Sequence, residues 1–374
     1  MIKKAIFAVV MGMLSLCGSA ASFAQSPYYV LTNDVNVNNS GTLFNLDLAT
    51  GVLTTVKTLK TGGEAVQGGY YAGVTQAFTH QAACIFIADG ITNDIGDIAA
   101  FSKATHYKKV GNYSNTSLEG ASNMPMIVNS AGTLLYASYE LSSSLAVWTI
   151  NSDCSLTLAN AYTTTSLLGS MAITHDGKLL VVTYELAKEA GTWTISGSTL
   201  TDNGAMPAIE EVSGVAITKD DKVVIMGTGY TENTTSAVVT ASLPGLTNQQ
   251  AWRLGPGYNS ASVALSAAAG EGDGCLYVGN TGNGSSGTAG VTGATFTENP
   301  LNVTHVNNVM SSLPTYVGNI ATISNTGRGA GVYAAETAGY IGVYAADATC
   351  KVKLKKENQD PHSSFILSLS SIVK

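Results

Sequence analysis

The sequence predicts an all-β fold: a seven-bladed β-propeller of four-stranded antiparallel blades, its ring closed by the C-terminal strand pairing in the first blade. Three observations carry this. One hairpin recurs along the chain, most plainly in Met171 to Glu185. There Ala172, Ile173 and Thr174 close a first strand, Asp176-Gly177 supplies the turn, and Leu179 to Thr183 is a β-branched and aliphatic second strand. The same pattern returns at Val215 to Met226 and at Ile127 to Ala137, and in weaker form at Ile323 to Ala334. Secondly, no long run shows an apolar period of 3.6, while 40 glycines and a charged fraction of 11% suit short strands with many turns. Thirdly, the repeats are roughly 45 to 55 residues long, the size of a propeller blade, and longer than a β-helix coil.

Seven repeats follow in order. The first holds three strands, at Tyr28 to Asn33, Gly41 to Leu46 and Leu53 to Val56, and lacks an opening one. The second runs from Gly73 through Cys84 to Tyr113. The third spans Met124 to Tyr162, and the fourth Gly169 to Asp202; Trp148 and Trp193 hold equivalent third-strand places, read as packing between blades. The fifth covers Ser213 to Leu254, the sixth Ser260 to Val309 with a Gly/Ser-rich insertion from Gly279 to Gly293, and the seventh Val317 to about Lys356. Phe365 to Val373 is a strand left over, and joining it to the first repeat removes two open sheet edges.

The N-terminus reads as an export signal. Lys3-Lys4 precedes an apolar run from Ile6 to Leu16, and Ser22-Phe23-Ala24 sets cleavage before Gln25, so the expected division is 1–24 signal peptide and 25–374 propeller. The apolar run is short for a bilayer, which takes roughly 20 residues, and Leu16 is bulky for lipoprotein processing at Cys17. A bacterial periplasmic or secreted monomer is expected, with no membrane span after signal removal. The formal net charge of −7, with only Arg253 and Arg328 as guanidinium groups, argues against nucleic acid as a partner. Four cysteines remain after cleavage, which allows three pairings. Cys84 and Cys275 each open a strand of the same type; Cys154 and Cys350 each sit in a turn one repeat later, so the repeat frame selects Cys84–Cys154 and Cys275–Cys350.

Tyr29-Val30-Leu31-Thr32-Asn33, Leu276-Tyr277-Val278-Gly279-Asn280 and the Asp176 to Val182 hairpin resemble the YVTN repeat family of lactonase-like seven-bladed propellers, whose best-known members resemble 6-phosphogluconolactonase. The resemblance spans essentially the whole mature chain and implies that ligands meet the face where second strands end and blades are joined. Those second strands end in Asn33-Asp34, Asp89, Tyr139-Glu140, Tyr184-Glu185, Asn280 and Glu336, and the blade connections carry Glu64, Glu119 and Glu210-Glu211. Tyr71, Tyr258 and Tyr316 fall on the same connections. The candidate ligand-binding set is therefore Asp34, Asp89, Tyr139, Glu140, Tyr184, Glu185 and Glu336.

Three readings of these acids stand side by side. They are solvated strand ends; or a surface for a cation, a basic protein surface or a saccharide stacking on tyrosine; or a general acid/base pair, with Glu140 and Glu185 on adjacent blades as catalytic candidates. No metal site or cofactor is expected, calcium being the ion an oxygen-rich cluster would suit. A phosphorylated sugar needs cations, preferably arginine. Arg253 reads as an outer-strand residue and Arg328 as a turn residue on the opposite face, with His80 and His175 in or beside turns, His106 and His305 in outer strands and His362 near the C-terminus. The preferred function is an exported binding or interaction scaffold; the alternative is a lactone hydrolase acting on an unphosphorylated substrate.

Overall fold

The recurrent hairpin folds as its turn chemistry dictates. In the Leu168–Ile173 and Leu179–Tyr184 pair, the N–H of Thr174 donates to Leu179 O at 2.9 Å, and Thr174 Oγ1 takes the N–H of Leu179 at 3.0 Å. The same hydroxyl reaches Asp176 Oδ1 at 2.8 Å, and Gly177 supplies the left-handed residue at φ 72°. Thr218 repeats the arrangement with Val223 and Asp220, and Asn129 repeats it with Leu134. Thr79 and Ser266 receive the N–H of Cys84 and Cys275 in the same way. A side-chain cap at the end of the first strand thus shapes the turn in five repeats.

The computed structural model describes residues 28–373, apart from the stretches 35–39, 48, 64–74, 93–94, 119–123, 140–141, 185–187, 229–234, 257–259, 267–272, 282–288, 311–316, 325–329, 337–338 and 362–365. The proposed signal segment 1–24 lies outside the described residues. The strands form seven four-stranded antiparallel sheets, the architecture of a seven-bladed propeller. Blade one contains Tyr28–Asp34, Ser40–Leu46 and Leu53–Lys60, with Ile366–Val373 in its inner place. That last strand pairs antiparallel with the first, Tyr28 opposite Val373 and Asn33 opposite Ser368.

The other blades are consecutive in sequence. Blade two is Gln76–Phe78, Cys84–Thr92, Ile95–Ser102 and Lys108–Tyr113. Blade three is Met126–Val128, Leu134–Tyr139, Ser144–Ile150 and Leu156–Thr163. Blade four continues from the hairpin above with Glu189–Ser196 and Thr199–Pro207. Blade five is Val212–Ile217, Val223–Thr228, Thr235–Ser242 and Thr247–Pro256. Blade six is Ser260–Leu265, Asp273–Asn280, Gly290–Glu298 and Leu301–Met310; blade seven is Val317–Ser324, Ala330–Glu336, Tyr340–Ala346 and Val352–Gln359. Each inner strand lies against the inner strand of the next blade, and Ile366–Val373 lies against those of both blade seven and blade two.

Apolar packing falls between blades rather than at one centre. Leu31, Leu43, Ile85 and Ile87 join blades one and two; Phe86, Leu135, Tyr139 and Trp148 join two and three; Tyr136, Leu180, Tyr184 and Trp193 join three and four. Ile341 and Val343 of blade seven pack on Tyr28, Val30, Phe44 and Leu46 of blade one. The third-strand tryptophans therefore do pack between blades. In every blade the third and outer strands slip register at an irregularity, as between Leu43 and Phe44 or Val147 and Trp148. Such bulges add twist and blunt the outer edge against pairing with another chain.

Both disulfides join neighbouring blades in the predicted pairing: Cys84 with Cys154, and Cys275 with Cys350. Cys154 and Cys350 occupy matching turns at φ 71° and 66°. One position differs from the sequence reading. His106 is not in an outer strand but in the turn before one, at φ 57°, because Lys103–Thr105 forms a short 3₁₀ turn there. No helix among the described residues is long and apolar enough to cross a membrane.

Candidate functional site

Strand pairing brings the ends of second strands, the starts of third strands and the ends of outer strands to one face: Leu168 pairs with Tyr184, and Glu189 with Pro207. At three seams, described residues just past an outer strand meet the end of the next second strand. Thr61, after the outer strand of blade one, donates Oγ1 to Asp89 Oδ1 of blade two at 2.8 Å. Thr165, after that of blade three, hydrogen-bonds Tyr184 of blade four. Asp360, after that of blade seven, faces Asp34 of blade one.

This geometry corrects how the candidate residues sit. Asp34 and Asp89 are both fully buried, so neither is a solvated strand end. Asp34 Oδ2 accepts from Thr42 Oγ1 at 2.8 Å, and burial, reinforced by the Asp360 charge, pushes its carboxyl up to about 8. Asp89 Oδ2 accepts from Asn112 Nδ2 at 3.4 Å, and the same amide reaches Asp97 Oδ2 at 3.1 Å. Burial raises the Asp97 carboxyl. A Cβ on Gly63 would stand 2.3 Å from Asp89 Oδ2, so only glycine lets the connecting segment cross this carboxylate so closely.

Tyr139 and Tyr184 are buried as well, their rings inside the two packing layers of blade three. Neither ring is open to solvent. Burial raises both phenols, and Tyr184 lies over Gly191, where a Cβ would come within 2.8 Å of its hydroxyl. The reason is parity: a residue at a strand end alternates between facing the preceding and the following blade. Glu336 keeps backbone pairing with Val317 and Tyr340 at the end of its strand. Glu140 and Glu185 lie outside the described residues, as do Glu64, Glu119, Tyr71, Tyr258, Tyr316, His362 and Arg328.

The asparagines of the repeat are also structural. Asn33 Nδ2 donates to Thr75 Oγ1 at 2.8 Å and to Ala88 O at 3.3 Å, clamping blade one to blade two. Asn280 Nδ2 donates to Thr292 Oγ1 at 2.8 Å. Glu210 meets Arg253 at 2.5 Å, so this outer-strand guanidinium is already engaged. Burial raises the Glu211 carboxyl. On the opposite face, Asp221 accepts from the N–H groups of His175 and Asp176 at 2.7 and 2.9 Å, tying the turns of blades four and five. No group of three or more His, Cys, Asp or Glu side chains among the described residues is placed to hold a metal ion. Sequence reasoning missed Thr61, Thr42 and Asp360; the one signal was their place just past, or beside, a strand end.

No family model and no curated protein sequence matches the chain. Solved structures do. A Bacteroides fragilis protein described as a candidate 6-phosphogluconolactonase superposes with a TM-score of 0.72 at 14% identity, over 92% of this chain and 98% of that one. The periplasmic gluconolactonase of Pseudomonas aeruginosa gives 0.68 at 14%, over 93% and 99%. A Myceliophteria thermophila β-propeller domain gives 0.57 at 9%, over 80% and 90%. The fold shared with these structures is the β-propeller.

Proposed function

We propose that this protein is an exported, lactonase-like propeller that takes an unphosphorylated sugar lactone at the face where second strands end, and opens it there. The carrying observation is the near full-length superposition on the periplasmic gluconolactonase of Pseudomonas aeruginosa. Two inter-blade disulfides support an oxidising compartment, in keeping with residues 1–24 as a cleaved signal and a periplasmic or secreted product. The choice of an unphosphorylated ring rests on charge: the chain has two arginines, and Arg253 is held by Glu210. We also read Ile366–Val373 as the strand that closes the ring, supported by its pairing in blade one and by the packing of blade seven on blade one.

Lactone opening needs a base that takes a proton from water as its oxygen bonds to the carbonyl carbon. The ring C–O bond then breaks, and the leaving oxygen collects a proton. Asp34 and Asp89 are sealed in the seams, and the bases proposed are Glu140 and Glu185, just past the second strands of adjacent blades. Purified protein should hydrolyse glucono-δ-lactone above the spontaneous rate, and Glu140→Gln or Glu185→Gln should lower turnover by about 10²- to 10⁴-fold. Turnover unchanged in both variants would remove these acids from the reaction.

A second reading, a non-catalytic scaffold, is favoured by the use of the described strand-end acids in holding blades together. It calls for saturable ligand binding without turnover, seen as a ligand-dependent rise in melting temperature. A rise with calcium, lost in the same variants, would point to the ion instead.

A further inference from the structure

The seams between blades are not chemically alike. At the seam of blades one and two, the group past the outer strand is a hydroxyl, and Thr61 Oγ1 donates a hydrogen bond to Asp89 Oδ1 at 2.8 Å. At the seam of blades three and four, Thr165 meets the Tyr184 hydroxyl. At the seam of blades seven and one, both partners are carboxyl groups. Asp360 is 1% exposed and Asp34 fully buried, and the backbone N–H of Asp360 donates to Gly339 O at 2.7 Å, which fixes its place. The groups acting on Asp34 are Asp360 and the hydroxyls of Thr32 and Thr42. Thr42 serves Oδ2; Oδ1 receives no hydrogen bond from the described donors. An ionised carboxylate only accepts, so two of them facing each other away from water require a proton between them.

The location gives this contact a consequence. The pairing of Ile366–Val373 with Tyr28–Asp34 slips register between Asn33 and Asp34, and Asp34 stands opposite Ile366. Asp360 thus follows the last strand of blade seven, and Asp34 stands opposite the residue where the C-terminal strand begins. We propose that this seam is a pH-sensitive lock, in which Asp34 and Asp360 share one proton and its loss loosens the hold of the C-terminal strand.

The direction of the effect follows from linkage. The ordinary Asp34 carboxyl releases its proton near pH 4 in the unfolded chain, but in the folded protein only near 8. Between those values the folded form holds a proton that the unfolded form has lost. Stability thus falls as pH rises through that window, and levels off above it.

The experiment transplants one seam into the other. Melting temperature is followed from pH 5 to 9 for the wild type, Asp360→Thr, Asp360→Asn, Thr61→Asp and Thr61→Asp/Lys109→Met. The wild type should lose several degrees between pH 5 and 8.5. Both Asp360 variants should show a flatter profile and overtake the wild type toward high pH; Thr61→Asp sets an acid against Asp89 but beside the Lys109 ammonium, which donates to Thr61 O at 2.8 Å, so the steeper fall is expected in the double variant Thr61→Asp/Lys109→Met. Amide exchange in 366–373, corrected for its intrinsic pH dependence, should quicken above pH 8 in the wild type and not in Asp360→Thr; if that variant fails to fold, Asp34→Asn serves in its place. Parallel profiles for the wild type and the Asp360 variants would overturn the proposal. So would a wild-type fall that millimolar calcium abolishes and a chelator restores, since a cation and not a proton would then hold the pair.

Discussion

Replacing Cys84 and Cys154 together by alanine tests how far the covalent links between blades set stability. The bridge closes a loop with a sequence separation of 70. In the chain-entropy model a loop of that length removes about 15 cal/mol/K from the unfolded ensemble, or about 4.4 kcal/mol at 25 °C. A folded chain of roughly 350 residues unfolds with an entropy of about 0.7 kcal/mol/K, so the loss corresponds to about 6 °C in melting temperature. The Cys275–Cys350 loop, with a separation of 75, does not overlap the first, and its removal should cost about the same. The quadruple alanine variant should then melt about 12 °C below the oxidised wild type. Alanine at 154 inherits the φ of 71° that cysteine already tolerates, so backbone strain does not confound the comparison. The assay is thermal unfolding by circular dichroism, with reduced wild type as a second reference and thiol titration to show that Cys84, Cys154, Cys275 and Cys350 are not free in the unreduced protein. Double variants that melt within 1 °C of an oxidised wild type would refute the entropic account, a threshold set well below the shift of about 6 °C.

Two further perturbations read the packing directly. Gly227→Ala would place a Cβ 2.0 Å from Ser260 O, on the inner strand of the next blade, so a main-chain shift is forced; a loss of about 1–3 kcal/mol is expected from chemical denaturation, whereas an alanine at Gly245, whose nearest contact is 3.6 Å away, should come within about 0.5 kcal/mol of wild type. Deleting residues 364–374 should expose the free edge of Tyr28–Asp34, giving a protein that is still made but melts lower and aggregates faster by light scattering; an unchanged melting temperature would defeat the closure reading.

Much of the fold was legible because its signals are local and repeated. Thr174-His175-Asp176-Gly177 and Thr218-Lys219-Asp220-Asp221 each carry a hydroxyl to cap the strand and a residue for the left-handed corner, and the structure uses both in the same way. The cysteine pairing was legible for the same reason: equivalent places in equivalent blades meet equivalent partners. His106 was misplaced because a single 3₁₀ turn shifts the start of an outer strand, and no residue nearby advertises it. Tyr139 and Tyr184 were assigned to the wrong environment because sequence shows where a strand ends and not which neighbouring blade its last side chain faces. Gly191, opposite Tyr184, was the available hint: an uncovered glycine in a third strand makes room for a large ring from the strand beside it.

The acids show why a repeat protein hides its site. At two seams a carboxylate at the end of a second strand meets the segment that enters from the preceding blade, and the two are met by different residues. Opposite Asp89 lies Thr61, and the carboxylate becomes a hydrogen-bonded staple. Opposite Asp34 lies Asp360, and the carboxyl keeps its proton to about pH 8. Neither pair is exposed to a ligand, although both read as surface acids in sequence. At these two seams the strand-end acids are taken up by the ring itself. That places the weight of the lactone reading on Glu140 and Glu185. It also separates the two acid roles experimentally: substitution at Asp34 or Asp360 should move the pH dependence of melting, and substitution at Glu140 or Glu185 should move turnover while leaving that pH dependence in place.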